Sequence, residues 1–202
     1  MSWLALGLFV AWFLVIFVVR SVVQKRSTGD SGIRAGALAE SATTIETVAG
    51  WTLVAAFIAG LAAPILGIAG VPQLWNNSTA EIVGVVVVVV GIALTFLAQV
   101  DMGSEWRIGI DTEERTGLVT NGWFAFVRNP IFTAMMLTAS GFVLMVPNII
   151  AVIAFVSLVV AIELQVRYVE EPHLHRLHGN DYRDYASHVG RFLPLIGRTG
   201  PA

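Results

Sequence analysis

The 202-residue chain is 56% hydrophobic and only 13% charged, with a mean hydropathy of +0.76, whereas an ordinary soluble domain carries roughly 25% charged residues. That balance excludes a water-soluble globule, and a formal net charge of -2 argues against a nucleic-acid partner, which needs a basic face to neutralise phosphates. The lack of cysteine removes disulfides, thiolate metal sites and cysteine nucleophiles together.

Five apolar runs follow in chain order, at residues 3–19, 48–71, 82–100, 131–146 and 149–166. A helix needs roughly 17–25 apolar residues to cross a hydrocarbon core of about 30 Å, a length the first three runs meet. The last two are shorter and form a hairpin turned by Pro147 and Asn148 alone. A Val-rich run such as 85–90 suits a buried strand, but so small a chain cannot hide five long apolar stretches from water. The prediction is an all-α polytopic membrane bundle of five transmembrane helices with a cytoplasmic C-terminal helical arm. It forms a single membrane domain over 1–202, with additional transmembrane helices in 1–71 and the catalytic core in 82–202. The first run has no preceding basic residue and no small-x-small cleavage site, so it is expected to stay as a helix and not to be removed as a leader. Arg20, Lys25, Arg26 and Arg34 follow that run, and Arg107, Arg115, Arg128, Arg167, Arg176, Arg183, Arg191 and Arg198 flank the same side of the later ones. Residues 72–80 and 147–148 carry no Lys or Arg, so the positive-inside rule places the N-terminus outside and the C-terminus in the cytoplasm. The Gly, Ser and Thr-containing segment 24–44 reads as a mobile loop.

Two polar stretches carry the chemistry, and the hairpin delivers both to one membrane face. In residues 101–130, Trp106, Trp123, Phe124 and Phe126 suit the membrane surface, and Asn121-Gly122 marks a turn. Pro130 suits a first helical turn, where its missing N–H would be unpaired anyway, which leaves Arg128 and Asn129 at the helix mouth. Alone, Arg128 reads as an ordinary basic flank. In residues 163–194, Glu163 and Arg167 stand i and i+4, the spacing of an intrahelical ion pair. Glu170, Glu171 and Pro172 follow. Leu174, Leu177, Tyr185, Val189 and Phe192 form an apolar stripe that would dock the tail on the bundle or the headgroups, broken at Gly179-Asn180 by a helix end and a new start. Of His173, His175 and His178, only the last two share a helix face and no carboxylate has a ligand spacing, so no metal is expected. Neither a Ser, His and Asp set nor a Gly-rich phosphate loop can be proposed.

Taken together, Arg128-Asn129-Pro130-Ile131-Phe132-Thr133-Ala134, the pair Glu170-Glu171, Gly179-Asn180-Asp181-Tyr182-Arg183-Asp184-Tyr185 and Arg191-Phe192-Leu193-Pro194 resemble the isoprenylcysteine carboxyl methyltransferase family, with phospholipid N-methyltransferases as more distant relatives. There an Arg-His-Pro-x-Tyr-x-Gly segment opens one helix, a Glu pair ends the next, and the tail reads Gly-x-x-Tyr-x-x-Tyr and then Arg-aromatic-x-Pro. The resemblance covers roughly the last hundred residues and implies S-adenosylmethionine in a cytoplasmic pocket, with a lipid or hydrophobic small-molecule acceptor entering sideways from the membrane. It implies cofactor contacts from Arg128, Asn129, Pro130, Phe132, Glu170, Glu171, His178, Tyr182 and Tyr185. Catalytic roles fall to Arg128, Glu170 and Arg167, and acceptor contacts to Arg191 and Trp106. Asn129, Phe132 and Ala134 stand where that family has His, Tyr and Gly. Asn can donate a hydrogen bond but cannot act as a base, which favours O-methylation of a carboxylate, already ionised at a pKa of about 4. Two alternatives stay open at this point: a nicotinamide-dependent lipid reductase of related architecture, and a non-catalytic membrane protein with a degenerate motif.

Overall fold

A computed structural model describes residues 1–33, 42–107 and 117–200. The described residues form helices and no strand, with isolated β bridges between Val127 and Gly190 and between Leu193 and Ile196. Helix α1 spans Ser2–Thr28, α2 Thr44–Ile68, α3 Ser78–Glu105, α4 Pro130–Met145, α5 Ile149–His178 and α6 Asn180–His188. The all-helical expectation therefore holds. Four of these helices are long and apolar enough to cross a membrane, and α4 is a shorter apolar helix.

Local sequence sets where each helix starts and stops. Thr43 and Glu46 close a reciprocal capping box at α2, satisfying amide donors that no preceding turn can reach. The Asn77 side chain caps Ala80 N at 3.1 Å on α3, and Asn148 caps Ala151 N at 2.9 Å on α5. Pro130 occupies the first turn of α4. Gly179, at φ +55°, ends α5 and precedes α6 directly, so the break expected at Gly179-Asn180 is present. The helix over residues 24–28 claims the start of the segment expected to be mobile. Residues 34–41 of that segment lie outside the described residues, as do Arg34 and Arg115 of the charge argument.

Helix α4 packs along the length of α3. A Cβ added to Gly84 would lie 2.8 Å from Gly141 O, and one added to Gly91 would lie 3.0 Å from Thr138 N and Cα. Glycine at both positions therefore lets the backbones approach. Trp123 N donates to Asp101 Oδ2 at 2.7 Å at one end of the pair, and Leu74 N to Pro147 O at 2.6 Å at the other. The core collects Phe9, Trp12 and Ile16 from α1, Ala56 from α2, Met135 from α4 and Leu158, Ile162 and Val166 from α5. Trp12 stacks on Phe57 at 5.4 Å. Val83, Val86, Val89, Val90, Phe96, Leu97 and Val100 of α3 face outward, exposed. Such an apolar exterior on several long helices suits lipid as the solvent, and the chain is a multi-pass integral membrane protein.

The far end of α1 is tied to α3 by polar contacts. Arg20 donates to Gly103 O, Gln24 Nε2 to Ser104 O at 2.7 Å and Gln99 Nε2 to Ile16 O at 3.1 Å. The Arg20 guanidinium also lies 5.3 Å from the Trp106 ring centroid, and Trp106 is 2% exposed. Trp106 is thus a packing residue under α1, away from the surface position expected of it.

Candidate functional site

The two polar stretches meet. An open cavity is lined by Met102, Glu105, Gly117, Leu118, Val119 and Phe124 from the first, and by Arg128 and Asn129 at the mouth of α4. Its other wall is Glu170, Glu171 and Leu174 on α5 with Tyr182 and Tyr185 on α6. Helices α4 and α5, turned at Pro147-Asn148, return the chain to this end of the bundle. Gly179 then folds α6 back over the opening.

Arg128 is the clasp. Its Nη1 donates to the carbonyls of Ala186 at 2.9 Å and Val189 at 2.7 Å, and its Nη2 to Glu171 Oε1 at 2.8 Å and Gly197 O at 3.1 Å. Glu171 is held a second time, by Arg191 Nε on Oε1 at 2.7 Å and Arg191 Nη2 on Oε2 at 2.8 Å. A bidentate fork of this kind is among the stronger polar contacts a protein makes, and it raises the Arg191 guanidinium pKa above its usual value. The backbone repeats the attachment: Arg128 N donates to Gly190 O at 2.8 Å and Asn129 N to Arg191 O at 3.1 Å. The Asn129 side chain donates to the same Arg191 carbonyl at 3.2 Å. One buried arginine thus fastens the C-terminal arm to the start of α4.

Glu170 stands differently from its neighbour. It lines the cavity, and its only side-chain partner among the described residues is Gln165 Nε2 at 3.4 Å. It closes a π-helical turn, Gln165–Glu170, a widening of the helix that is frequent at functional sites. Tyr182 is 2% exposed and borders the same space; its ring meets His175 edge-on at 4.7 Å, and its hydroxyl has no hydrogen bond among the described residues. Burial pushes the Tyr182 hydroxyl pKa well up. Tyr185 O–H donates to Phe124 O at 2.6 Å, and its burial pushes it up to about 12. The walls therefore offer one open carboxylate, one open phenol and the carboxylate of Glu105, which also accepts from Gly117 N at 2.8 Å.

The other expected residues fall elsewhere. Phe132 packs on the core cluster and does not line the cavity. Pro130 is buried in the first turn of α4. His178 does not line the cavity, and its buried Nε2 has no hydrogen-bond partner among the described residues. Arg167 is exposed and paired with Glu163 on its own helix, so the intrahelical spacing read from the sequence is realised. Arg191 is engaged with Glu171, and Trp106 with Arg20. Sequence reasoning missed Met102, Glu105, Leu118 and Val119, for which the only signal was a carboxylate just past the last apolar residue of α3. It also missed the carbonyls that Arg128 binds, which no side-chain pattern announces.

Known proteins resemble this chain in sequence and in fold. The chain is 28% identical over 127 residues to a probable protein-S-isoprenylcysteine O-methyltransferase of Oryza sativa subsp. indica, an alignment covering 62% of this chain and 66% of that protein. It is also 28% identical over 129 residues to protein-S-isoprenylcysteine O-methyltransferase A of Arabidopsis thaliana, covering 63% and 64%. The chain thus spans a little under two thirds of these curated relatives. Its fold matches a solved eukaryotic intramembrane isoprenylcysteine carboxyl methyltransferase with a TM-score of 0.60 at 19% identity, over 98% of this chain and 69% of that one. The phospholipid methyltransferase family profile matches residues 79–181, just over half of the chain and including the cavity lining except Tyr182 and Tyr185, and the chain belongs to that family.

Proposed function

We propose that this protein is an integral membrane S-adenosylmethionine-dependent methyltransferase that O-methylates a carboxylate on a hydrophobic or lipid-linked acceptor, with five spans, N-terminus outside and the site at the cytoplasmic face. Family membership supports the reaction class, and the relatives' names point to a prenylated cysteine as acceptor. The observation that carries the reading is the cavity itself, a cleft at the mouth of α4 whose walls bring Arg128, Asn129, Glu170, Glu171, Tyr182 and Tyr185 together, a few convergent polar groups among apolar ones as in ligand sites generally. Five spans are supported by α4 running beside α3 from Asp101 to the Leu74 turn.

The donor and acceptor set fits the cofactor. Glu170 is the carboxylate left open, suited to ribose hydroxyls or an ammonium, and the Tyr182 hydroxyl can donate or accept. When bound, S-adenosylmethionine supplies an electrophilic methyl on a sulfonium. The protein's part is alignment and exclusion of water, and the clasped arm over the cavity is suited to both. A carboxylate acceptor needs no base at neutral pH, which agrees with Asn129 being spent on the Arg191 carbonyl.

Titration of the purified protein in nanodiscs with S-adenosylhomocysteine tests this reading. Saturable binding that weakens about tenfold or more in Glu170→Gln, together with transfer of labelled methyl to an S-farnesylcysteine derivative as a base-labile ester, is expected. No saturable binding sinks the reading. Stabilisation by a nicotinamide cofactor alone replaces it with a reductase.

A further inference from the structure

Residues 191–197 fold into a tight turn, closed by Arg191 N on Ile196 O at 2.8 Å and Ile196 N on Leu193 O at 3.1 Å. At its crest Leu195 sits at φ +68°, the one non-glycine residue with positive φ among those described. Turns of this kind ordinarily carry Gly, Asn or Asp at such positions. Here three apolar side chains project instead: Leu193, Leu195 and Ile196 are 54%, 67% and 63% exposed.

The base of the turn is fixed against α4. Thr133 Oγ1, one turn inside that helix, donates to Phe192 O at 2.9 Å; Phe192 packs on the core; Arg128 holds Gly197 O. The depth of the turn is therefore set by the helix. With 16 residues, α4 is about 24 Å long at 1.5 Å per residue, about 6 Å short of a typical hydrocarbon core. Something apolar must cover the missing length or the bilayer must thin. The turn lies at the end of α4 opposite Pro147. Phe126, 63% exposed, lies next to Val127, which is bridged to Gly190, and extends the patch. Arg198, whose Nε donates to Leu195 O at 3.2 Å, offers a cation beside it at headgroup level.

We infer that the turn at residues 193–196 is a membrane anchor that dips into the headgroup–acyl boundary of the leaflet bearing the site, completing the apolar length of α4. Its occupant is the bilayer itself. Because Arg191 and Gly197 flank the turn and are bound by Glu171 and Arg128, the anchor also sets the height of the arm over the cavity. The inference rests on α4 being a span.

The cysteine-free chain allows a direct test. Nitroxide labels placed through Leu193→Cys, Leu195→Cys and Ile196→Cys in vesicle-reconstituted protein are compared with Val86→Cys on the lipid face of α3 and Lys25→Cys in the exposed polar last turn of α1. Relaxation by oxygen exceeding that by a water-soluble nickel complex at two or more of the three turn sites, as at Val86→Cys, supports the anchor. Nickel accessibility like that of Lys25→Cys at all three overturns it. Labelling of Asn76→Cys and Arg183→Cys by an impermeant maleimide serves as the separate check on topology. Opposite faces with a nickel-accessible turn defeat the anchor alone, whereas the same face defeats the five-span reading with it.

Discussion

At the level of single residues, the two adjacent glutamates divide the work. Glu171 takes three hydrogen bonds from two arginines, while Glu170 is left with one long contact. Removing one partner from a buried ion pair leaves an uncompensated charge and costs about 3–5 kcal/mol. Arg128→Met is therefore expected to lower the melting temperature markedly in detergent. Glu170→Gln is expected to melt near the parent and lose cofactor affinity, and near-equal melting of both variants would contradict this division. Arg128→Lys is not a conservative change, because an ammonium cannot reproduce a fork that reaches four acceptors; a loss close to that of Arg128→Met is expected. Tyr185 gives a pH signature. Its folded pKa of about 12 exceeds the unfolded value of about 10, so the folded state retains a proton that the unfolded state gives up. Its contribution is complete below pH 10 and is lost as pH rises toward 12. Tyr185→Phe, which also forfeits the bond to Phe124 O, is expected to cost about 1 kcal/mol near neutrality and to flatten the alkaline fall seen in thermal melts between pH 10 and 12.

At the level of elements, the pairing of α3 with α4 holds one wall of the cavity. Gly91 and Thr138 meet where a Cβ has no room, and forcing volume into a packed interface costs about 1–3 kcal/mol or more. Gly91→Val is expected to lower thermal stability and to weaken S-adenosylhomocysteine binding at a distance, because Arg128 and Asn129 ride on the start of α4. The same substitution at Gly70, at the end of α2 with open space around it, leaves binding unchanged while straining only its own positive-φ turn. Binding that is insensitive to Gly91→Val would separate the wall from the helix pair. The amphipathic arm belongs to this scale as well. Leu174, Tyr182 and Tyr185 of the arm line the cavity while Phe192 reaches the core, so the apolar stripe seen in the sequence docks on the bundle along most of its length.

For the whole molecule, the arm is the element that converts a helical bundle into a site. A chain ending at residue 189 keeps all five apolar helices but loses Arg191, Gly197 and the backbone bonds to Arg128 and Asn129. Far-UV circular dichroism is expected to change little, while cofactor binding falls below detection. Retained binding in that truncation would mean that the arm beyond α6 covers the cavity without organising it.

The apolar runs declared the helices because membrane spanning is a matter of local length and composition, read along one chain segment at a time. Pro130, Asn148 and Gly179 marked their boundaries for the same local reason. The motif pieces around Arg128, Glu170 and Tyr182 could be placed on one membrane face by counting spans. What the arginine does, which carboxylate stays open and where Trp106 and Phe132 end up could not be counted out. Those outcomes depend on backbone carbonyls at Ala186, Val189 and Gly197 and on packing between segments up to about ninety residues apart, contacts that exist only once the helices have packed together and the arm has folded over them.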